Sequence, residues 1–269
     1  MATYVPLDGR SFRLTMGLRP LDLSRWFEID DFWEQHLVAK ESLLAHRAAD
    51  VVALTPECDE AAYELLDEIE RFTDCRGREG EHPLVAASRL VADDLCIMQR
   101  SNDAWRLTGA VVCFPSRWSL SSKLGASLDD IHSPVPLYDR DLAAPTRQFF
   151  ERLSVERPVW RLNWTLLDSP ELFQPLPFRK SVTGDPSSWW FRVERQTLVR
   201  LERTDAIVFT IRTYVTSIQE LVLAKPETAS ALVTALESAS PETQEYKGWV
   251  GVAAALRPWL TAEDGRRDG

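Results

Sequence analysis

Two long runs of alternating apolar and polar residues, separated by a short polar turn, restrict the fold of this chain more than any other feature. The runs are Trp189–Glu202 and Ala206–Val215, and the turn between them is Arg203-Thr204-Asp205. A period of two is typical of half-buried strands, and two such runs around a turn predict an antiparallel hairpin. A second hairpin and a fifth strand are predicted in Leu95–Arg100, Trp105–Phe114 and the segment VWRLNWTLL that follows Pro158.

Helical periodicity and helix-start signals lie on both sides of the predicted strands. Apolar residues recur at helical spacing from Asp30 to about Arg47, and Thr55-Pro56-Glu57 combines an N-cap with proline at the first helical position. We therefore expect one α+β domain over residues 1–269. Its parts are N-terminal helices at about 30–93, a five-stranded antiparallel sheet at about 94–215 with helices inserted after its second strand, and C-terminal helices at about 226–257. This order of strands is the one found in PAS-like domains, which indicates a fold and no function.

Charge and cysteine content exclude several classes of protein. The formal net charge is -10, so nucleic acids and anionic membranes are poor partners. No apolar run reaches membrane-spanning length, and the N-terminus lacks the pattern of a secretion signal, which predicts a cytoplasmic protein. The four cysteines are too far apart for a zinc ribbon or an iron–sulfur cluster. The ten tryptophans fit either a large core or an apolar cavity for a big ligand.

His132 is the strongest candidate for a functional side chain. It follows Asp129 and Asp130 and precedes the rigid segment Pro134-Val135-Pro136, so we expect it in a stiffened loop. A firmly held imidazole suits a metal ligand or a catalytic base, but a buried structural histidine is equally compatible with the residues. No second histidine or cysteine lies nearby, and a single protein ligand favours a macrocycle such as haem over zinc.

The second hairpin carries further polar candidates. Arg195 shares an apolar strand face and therefore needs an anionic partner. A three-residue turn would pair Glu194 with Tyr214 and Gln196 with Arg212. This polar quartet is either a substrate pocket or a hydrogen-bonded face of the sheet. Motifs of nucleotide-binding, hydrolase and zinc-protease sites are absent from the sequence.

Several segments of the chain resemble the haem-dependent oxidative N-demethylase alpha-subunit-like family. They are PSRWSLSSKLG, DDIHSPVP, RLNWTL and RVERQTLVRLERTDAIVFTIRTY, and the resemblance extends from about Phe12 to Trp249. It implies a haem b protein on a PAS-like scaffold, with His132 as the proximal ligand of the iron. The implied activity is a monooxygenase reaction: O2 is used to remove a methyl group from a small methylated amine, and formaldehyde is released.

The resemblance also implies partners and residue roles. Electrons would come from NADPH through separate flavin and iron–sulfur components, because the chain has no cysteine set or nucleotide motif for them. The candidate catalytic residues are Glu194, Arg212 and Tyr214. The candidate haem-binding residues are Arg117, Trp118, Lys123, His132, Asn163, Trp164 and Arg195, and Arg147 and Arg161 are further candidates for pairing with the propionates.

Two other functions are compatible with the sequence. A haem-based sensor on a PAS-like fold would bind a ligand without turnover, and a scaffold protein would bind no haem. A sensor is less favoured because no output module is recognisable in the chain.

Overall fold

The computed structural model describes residues 4–176 and 181–267, with side chains described to residue 261. Within these residues the chain is α+β, as predicted. The strands are β1 (Arg19–Pro20), β2 (Val52–Leu54), β3 (Asp94–Ser101), β4 (Ala104–Val111), β5 (Val159–Leu167), β6 (Trp190–Arg200) and β7 (Ile207–Ser217). The helices are α1 (Trp33–His46), α2 (Ala48–Val51), α3 (Asp59–Thr73), α4 (Pro83–Leu90), α5 (Leu128–His132), α6 (Tyr138–Asp141), α7 (Ala143–Arg152), α8 (Ile218–Ala224), α9 (Glu227–Ser238), α10 (Pro241–Lys247) and α11 (Val252–Arg267).

The strands form one antiparallel sheet in the order β1-β5-β6-β7-β3-β4-β2. The five predicted strands are all present as β3 to β7. The predicted number of five is wrong, however, because β1 pairs with the outer edge of β5 and β2 pairs with β4. Strands of two and three residues are too short to show an alternating pattern in the sequence.

The register between β6 and β7 corrects the predicted polar quartet. Leu201 and Ala206 are bonded across the turn, which leaves a four-residue loop instead of the predicted three. Glu194 therefore lies opposite Thr213, and Arg195 lies opposite Arg212. Because side chains alternate between the two faces, a shift of one residue moves Arg212 and Tyr214 to the face opposite Glu194.

Two faces of the sheet can now be defined. The α5 face carries Arg161, Asn163, Glu194 and Gln196, and it is covered by the segment between β4 and β5 that contains helices α5 to α7. Its apolar core includes Met98, Leu107 and Leu198 from the sheet, Leu128 from α5 and Phe150 from α7.

The α1 face is the opposite side of the sheet. It carries Trp164, Arg195, Arg212 and Tyr214. Helices α1 to α4 cover the part of this face near β3, where Leu44 and Leu65 belong to one apolar core. Helices α8, α9 and α11 cover the part near β5 and β6 in a second core. No helix in the described part of the chain combines the length and the apolar character needed to cross a membrane.

Candidate functional site

His132 is the last residue of α5. The prediction that it lies in a loop is therefore wrong, because it ends a short helix. Ser127 caps this helix, because its side chain accepts a hydrogen bond from the amide of Asp130 and the carboxylate of Asp130 accepts one from the amide of Ser127. The imidazole ring stacks on the ring of Tyr138, with centroids 4.8 Å apart and an interplanar angle of 14°. The imidazole is therefore held by the capped helix α5 and by the ring of Tyr138.

One hydrogen bond determines which nitrogen of His132 is available. Nδ1 lies 2.7 Å from the carbonyl oxygen of Leu128, and because a carbonyl only accepts, Nδ1 carries the proton. Burial lowers the pKa of His132 below its ordinary value, and the positive charges of Arg161 and Lys123 lower it further. The neutral ring then has its lone pair on Nε2, for which the described residues provide no hydrogen-bond partner. This is the state in which histidine ligates a metal, with the second nitrogen fixed by a carbonyl.

Two cations lie near His132 on the α5 face. Lys123 donates to the carbonyl of Ile131 at 2.7 Å, and Nη2 of Arg161 donates to the carbonyl of Thr15 at 3.3 Å. Nε of Arg161 is buried and has no hydrogen-bond partner among the described residues. Both side chains therefore have hydrogen-bonding capacity and charge to offer to an anion.

Glu194 occupies the centre of the same face and is only 9% exposed. Its Oε2 accepts hydrogen bonds from Nδ2 of Asn163 at 3.2 Å and from Nε2 of Gln196 at 3.0 Å. Its Oε1 lies 3.6 Å from Nε of Arg192, whose other donors bind backbone carbonyls and Thr213. One carboxylate oxygen is therefore fixed by amides, and the other has only a long ionic contact among the described residues.

The end of α10 adds two residues that the sequence did not indicate. Nζ of Lys247 donates to the carbonyl of Trp164 at 2.8 Å, on the edge of β5 that β1 leaves uncovered. It lies over the rings of Phe12, Trp164 and Trp249. Burial lowers the pKa of Lys247 to about 8, although the charge of Glu194 opposes this. Burial and the same carboxylate raise the pKa of Tyr246. Lys247 and Tyr246 are therefore close enough to Glu194 to be coupled to it.

Four of the predicted candidates are instead part of the α1 face. Arg195 donates to the carbonyls of Arg25 and Trp26 and pairs with Glu28, and Arg212 pairs with Asp30 and donates to His36. Tyr214 donates to Glu28 at 2.7 Å, and Trp164 stacks on Trp249 with centroids 4.7 Å apart. These four side chains hold the N-terminal segment and the C-terminal helices onto the sheet. They do not lie with Glu194 and His132.

Of the three remaining candidates, Arg147 pairs with Asp129 at the surface, and the other two lie in the segment between β4 and α5. Arg117 is buried, pairs with Asp168 and donates to Gln174 at 3.2 Å, so it holds its loop to residues 168–174. Trp118 is half-buried and packs against the apolar core of the α5 face. The structure therefore brings together a group that we call the α5-face cluster: Lys123, His132, Arg161, Asn163, Glu194, Gln196 and Lys247.

A different group of metal-ligand types occurs at Cys58, Asp59 and His82. His82 accepts a hydrogen bond from the amide of Leu84 through Nδ1, so Nε2 carries the proton and donates to Asp59. Binding a metal through Nε2 would require an imidazole anion while Nδ1 caps α4. The geometry therefore fits a helix cap and not a metal site.

Most of the chain matches the model of one known protein family. The model of a family described as haem-dependent oxidative N-demethylase, alpha subunit-like, matches residues 17–76 and 69–257. The chain belongs to this family. The matched residues include the whole α5-face cluster, and the family description indicates an oxidoreductase that depends on haem.

The α5-face cluster of this oxidative N-demethylase-like protein fits a haem. An unprotonated Nε2 on His132 is a suitable axial ligand, and the unpartnered Nε of Arg161 together with Lys123 suits the two propionates. Half-buried apolar side chains border this face and suit the apolar edges of a macrocycle: Leu18, Trp118, Ile131, Val159 and Phe209.

Proposed function

We propose that the chain binds haem b on the α5 face, where Nε2 of His132 would hold the iron. The observation that carries this proposal is the hydrogen bond from Nδ1 of His132 to the carbonyl of Leu128, which fixes the tautomer and leaves the lone pair of Nε2 available to a metal. Lys123 and Arg161 would bind the propionates. The order of the five long strands, β5-β6-β7-β3-β4, supports a PAS-like scaffold with the ligand between sheet and inserted helices.

The proposed reaction is the oxidative removal of a methyl group from a small methylated amine. The amine, O2, two electrons and two protons give the demethylated amine, formaldehyde and water. Haem supplies the activation of O2 when it is bound. The electrons would come from separate flavin and iron–sulfur components, which agrees with the family description of an alpha subunit.

Glu194 is the proposed binding residue for the substrate ammonium group. Asn163 and Gln196 hold Oε2 from two sides, so the carboxylate has a fixed orientation before the amine arrives. Oε1 would accept the ammonium hydrogen bond, and the low exposure of Glu194 strengthens that bond. Arg212 and Tyr214 take no part, because they lie on the α1 face.

Haem binding tests the first part of this proposal. The protein loaded with haem should show a Soret band at stoichiometric haem, and His132→Ala should lose or shift it. His46→Ala is a matched control, because Nδ1 of His46 makes the same bond to the carbonyl four residues earlier, at 2.9 Å, on an exposed helix. An unchanged spectrum in His132→Ala would refute the assigned ligand.

Turnover tests the second part. With O2, a reductase and a methylated amine, the haem-loaded protein should release formaldehyde in proportion to the electrons supplied. Haem and amine binding without formaldehyde would indicate the alternative function, a haem-based sensor.

A further inference from the structure

The α5-face cluster holds more positive than negative charge. Arg161, Lys247 and Glu194 act on one another electrostatically, which places two cations around one carboxylate. Lys123 adds a third cation near His132, and the nearby Asp130, which caps α5, partly offsets it. A ligand that neutralises this cluster must therefore bring negative charge with it.

No carboxylate among the described residues forms a hydrogen bond or salt bridge with Lys247, although the charge of Glu194 acts on it. Its one described hydrogen bond goes to the backbone of Trp164, and three aromatic rings surround the ammonium group. A cation held in such surroundings without an anion is costly, and burial lowers its pKa accordingly. A bound carboxylate would remove this cost.

The two propionates of a haem account for the other two cations. The charges of Arg161 and Lys123 both act on the His132 ring, so these two cations would suit the propionates. Lys247 bonds instead to the carbonyl of Trp164, the neighbour on β5 of Asn163, whose amide holds Glu194. The charge of Glu194 also acts on Lys247, which agrees with a position near the carboxylate proposed to hold the substrate amine.

We propose that Lys247 binds the carboxylate of the substrate and that the substrate is an N-methylated amino acid. Its ammonium group would bind Glu194 and its carboxylate would bind Lys247, so that a zwitterion matches the two opposite charges. This inference rests on the proposed N-demethylase function and specifies its substrate class. A simple methylated amine would leave Lys247 without an anion.

The reaction keeps the balance given above. The N-methyl carbon is oxidised to formaldehyde, its bond to nitrogen breaks, and nitrogen keeps the electron pair and takes up a proton. One oxygen atom of O2 enters the formaldehyde, and the other leaves as water with two electrons from the reductase. The carboxylate end of the substrate is unchanged.

Binding of two probes by isothermal titration calorimetry tests the proposal, on the haem-loaded protein and on the protein without haem. N,N-dimethylglycine should bind about tenfold to a hundredfold more tightly than dimethylamine, which is the usual effect of one hydrogen bond between charged groups. Lys247→Met should remove this preference by weakening the binding of dimethylglycine. Lys247→Arg should keep most of it, and Lys225→Met, at the end of α8, is the matched lysine control.

Three outcomes would overturn the assignment. The first is equal affinity of the wild type for both probes, and the second is an unchanged preference in Lys247→Met. The third is loss of haem in Lys247→Met with the preference intact, which would assign Lys247 to a propionate. Formaldehyde from dimethylamine with no preference for dimethylglycine would refute the subsite and support the proposed function. A preference that depends on Lys247 without any formaldehyde would support the subsite and refute the function.

Discussion

Two adjacent buried carboxylates at the start of β3 should respond differently to the same substitution. Asp93 and Asp94 are both fully buried, and burial raises the pKa of each to about 6. They differ in their hydrogen bonds. Asp94 accepts the amides of Cys113 and Phe114 at 2.7 and 3.0 Å, whereas Oδ2 of Asp93 has no partner among the described residues.

The size of the effect follows from the shift in pKa. A folded-state pKa above the unfolded value means that the folded protein binds more protons between pH 4 and pH 6, so stability is lost as the pH rises through this range. A rise from 3.8 to about 6 corresponds to about 3 kcal/mol for each carboxylate at neutral pH. Asp93→Asn removes this cost, and we expect the variant to be more stable than the wild type at neutral pH.

Asp94→Asn should not gain in the same way. Asparagine has one acceptor oxygen, so one of the two backbone amides loses its acceptor, and the side-chain NH2 group faces that amide. An unsatisfied buried donor costs about 1–3 kcal/mol, which offsets the gain from removing the charge. The pair of variants therefore separates the cost of burial from the value of the hydrogen bonds.

Urea unfolding followed by tryptophan fluorescence measures both effects. The free energy of unfolding of Asp93→Asn relative to the wild type should increase by about 2.5 kcal/mol between about pH 4 and about pH 7.5. The same difference at both pH values would refute the reasoning. It would mean that the charges of Arg212, Arg195 and Lys40 keep Asp93 ionised throughout.

Four further predictions concern the two faces of the sheet and the core. Arg212→Met leaves Asp30 without its partner and should lower the free energy of unfolding by about 2–4 kcal/mol, but leave amine affinity unchanged. Glu194→Gln should lower amine affinity about tenfold. Loss of amine affinity in Arg212→Met, with unchanged affinity in Glu194→Gln, would contradict the assignment of faces. In Gly109→Ala the new Cβ would lie 2.6 Å from Sγ of Cys58, so thermal unfolding should show a loss of about 1–3 kcal/mol that Cys58→Ala partly restores. Affinity for dimethylglycine should fall above pH 8, where Lys247 loses its proton, and the Lys247→Met variant should show no such fall.

The long strands were predictable because their pattern is local. Alternation in β5, β6 and β7 and the turns of both hairpins lie within short windows of sequence. The fold class was confirmed for the same reason. β1 and β2 were missed because each is defined only by its partner strand, and no property of Arg19–Pro20 or Val52–Leu54 indicates that pairing.

The candidate site stays a prediction, and the structure corrects which residues share its face, for one main physical reason. His132 was identified by its neighbours in sequence, but Arg212 and Tyr214 were assigned to the face of Glu194 through a loop that is one residue longer than assumed. Lys247 was missed because its position beside Glu194 depends on how α10 packs over the edge of β5. Local patterns do not carry that information.

Arginines and lysines on both faces of this sheet look alike in the sequence, but the structure gives them different partners. On the α1 face, Arg195 pairs with Glu28 and Arg212 with Asp30, so the protein itself neutralises these cations. On the α5 face, the described contacts of Arg161 and Lys247 go to backbone carbonyls. Arg161 and Lys247 therefore keep positive charge that a ligand with negative charge can neutralise, which supports the proposed site for haem and substrate on the α5 face.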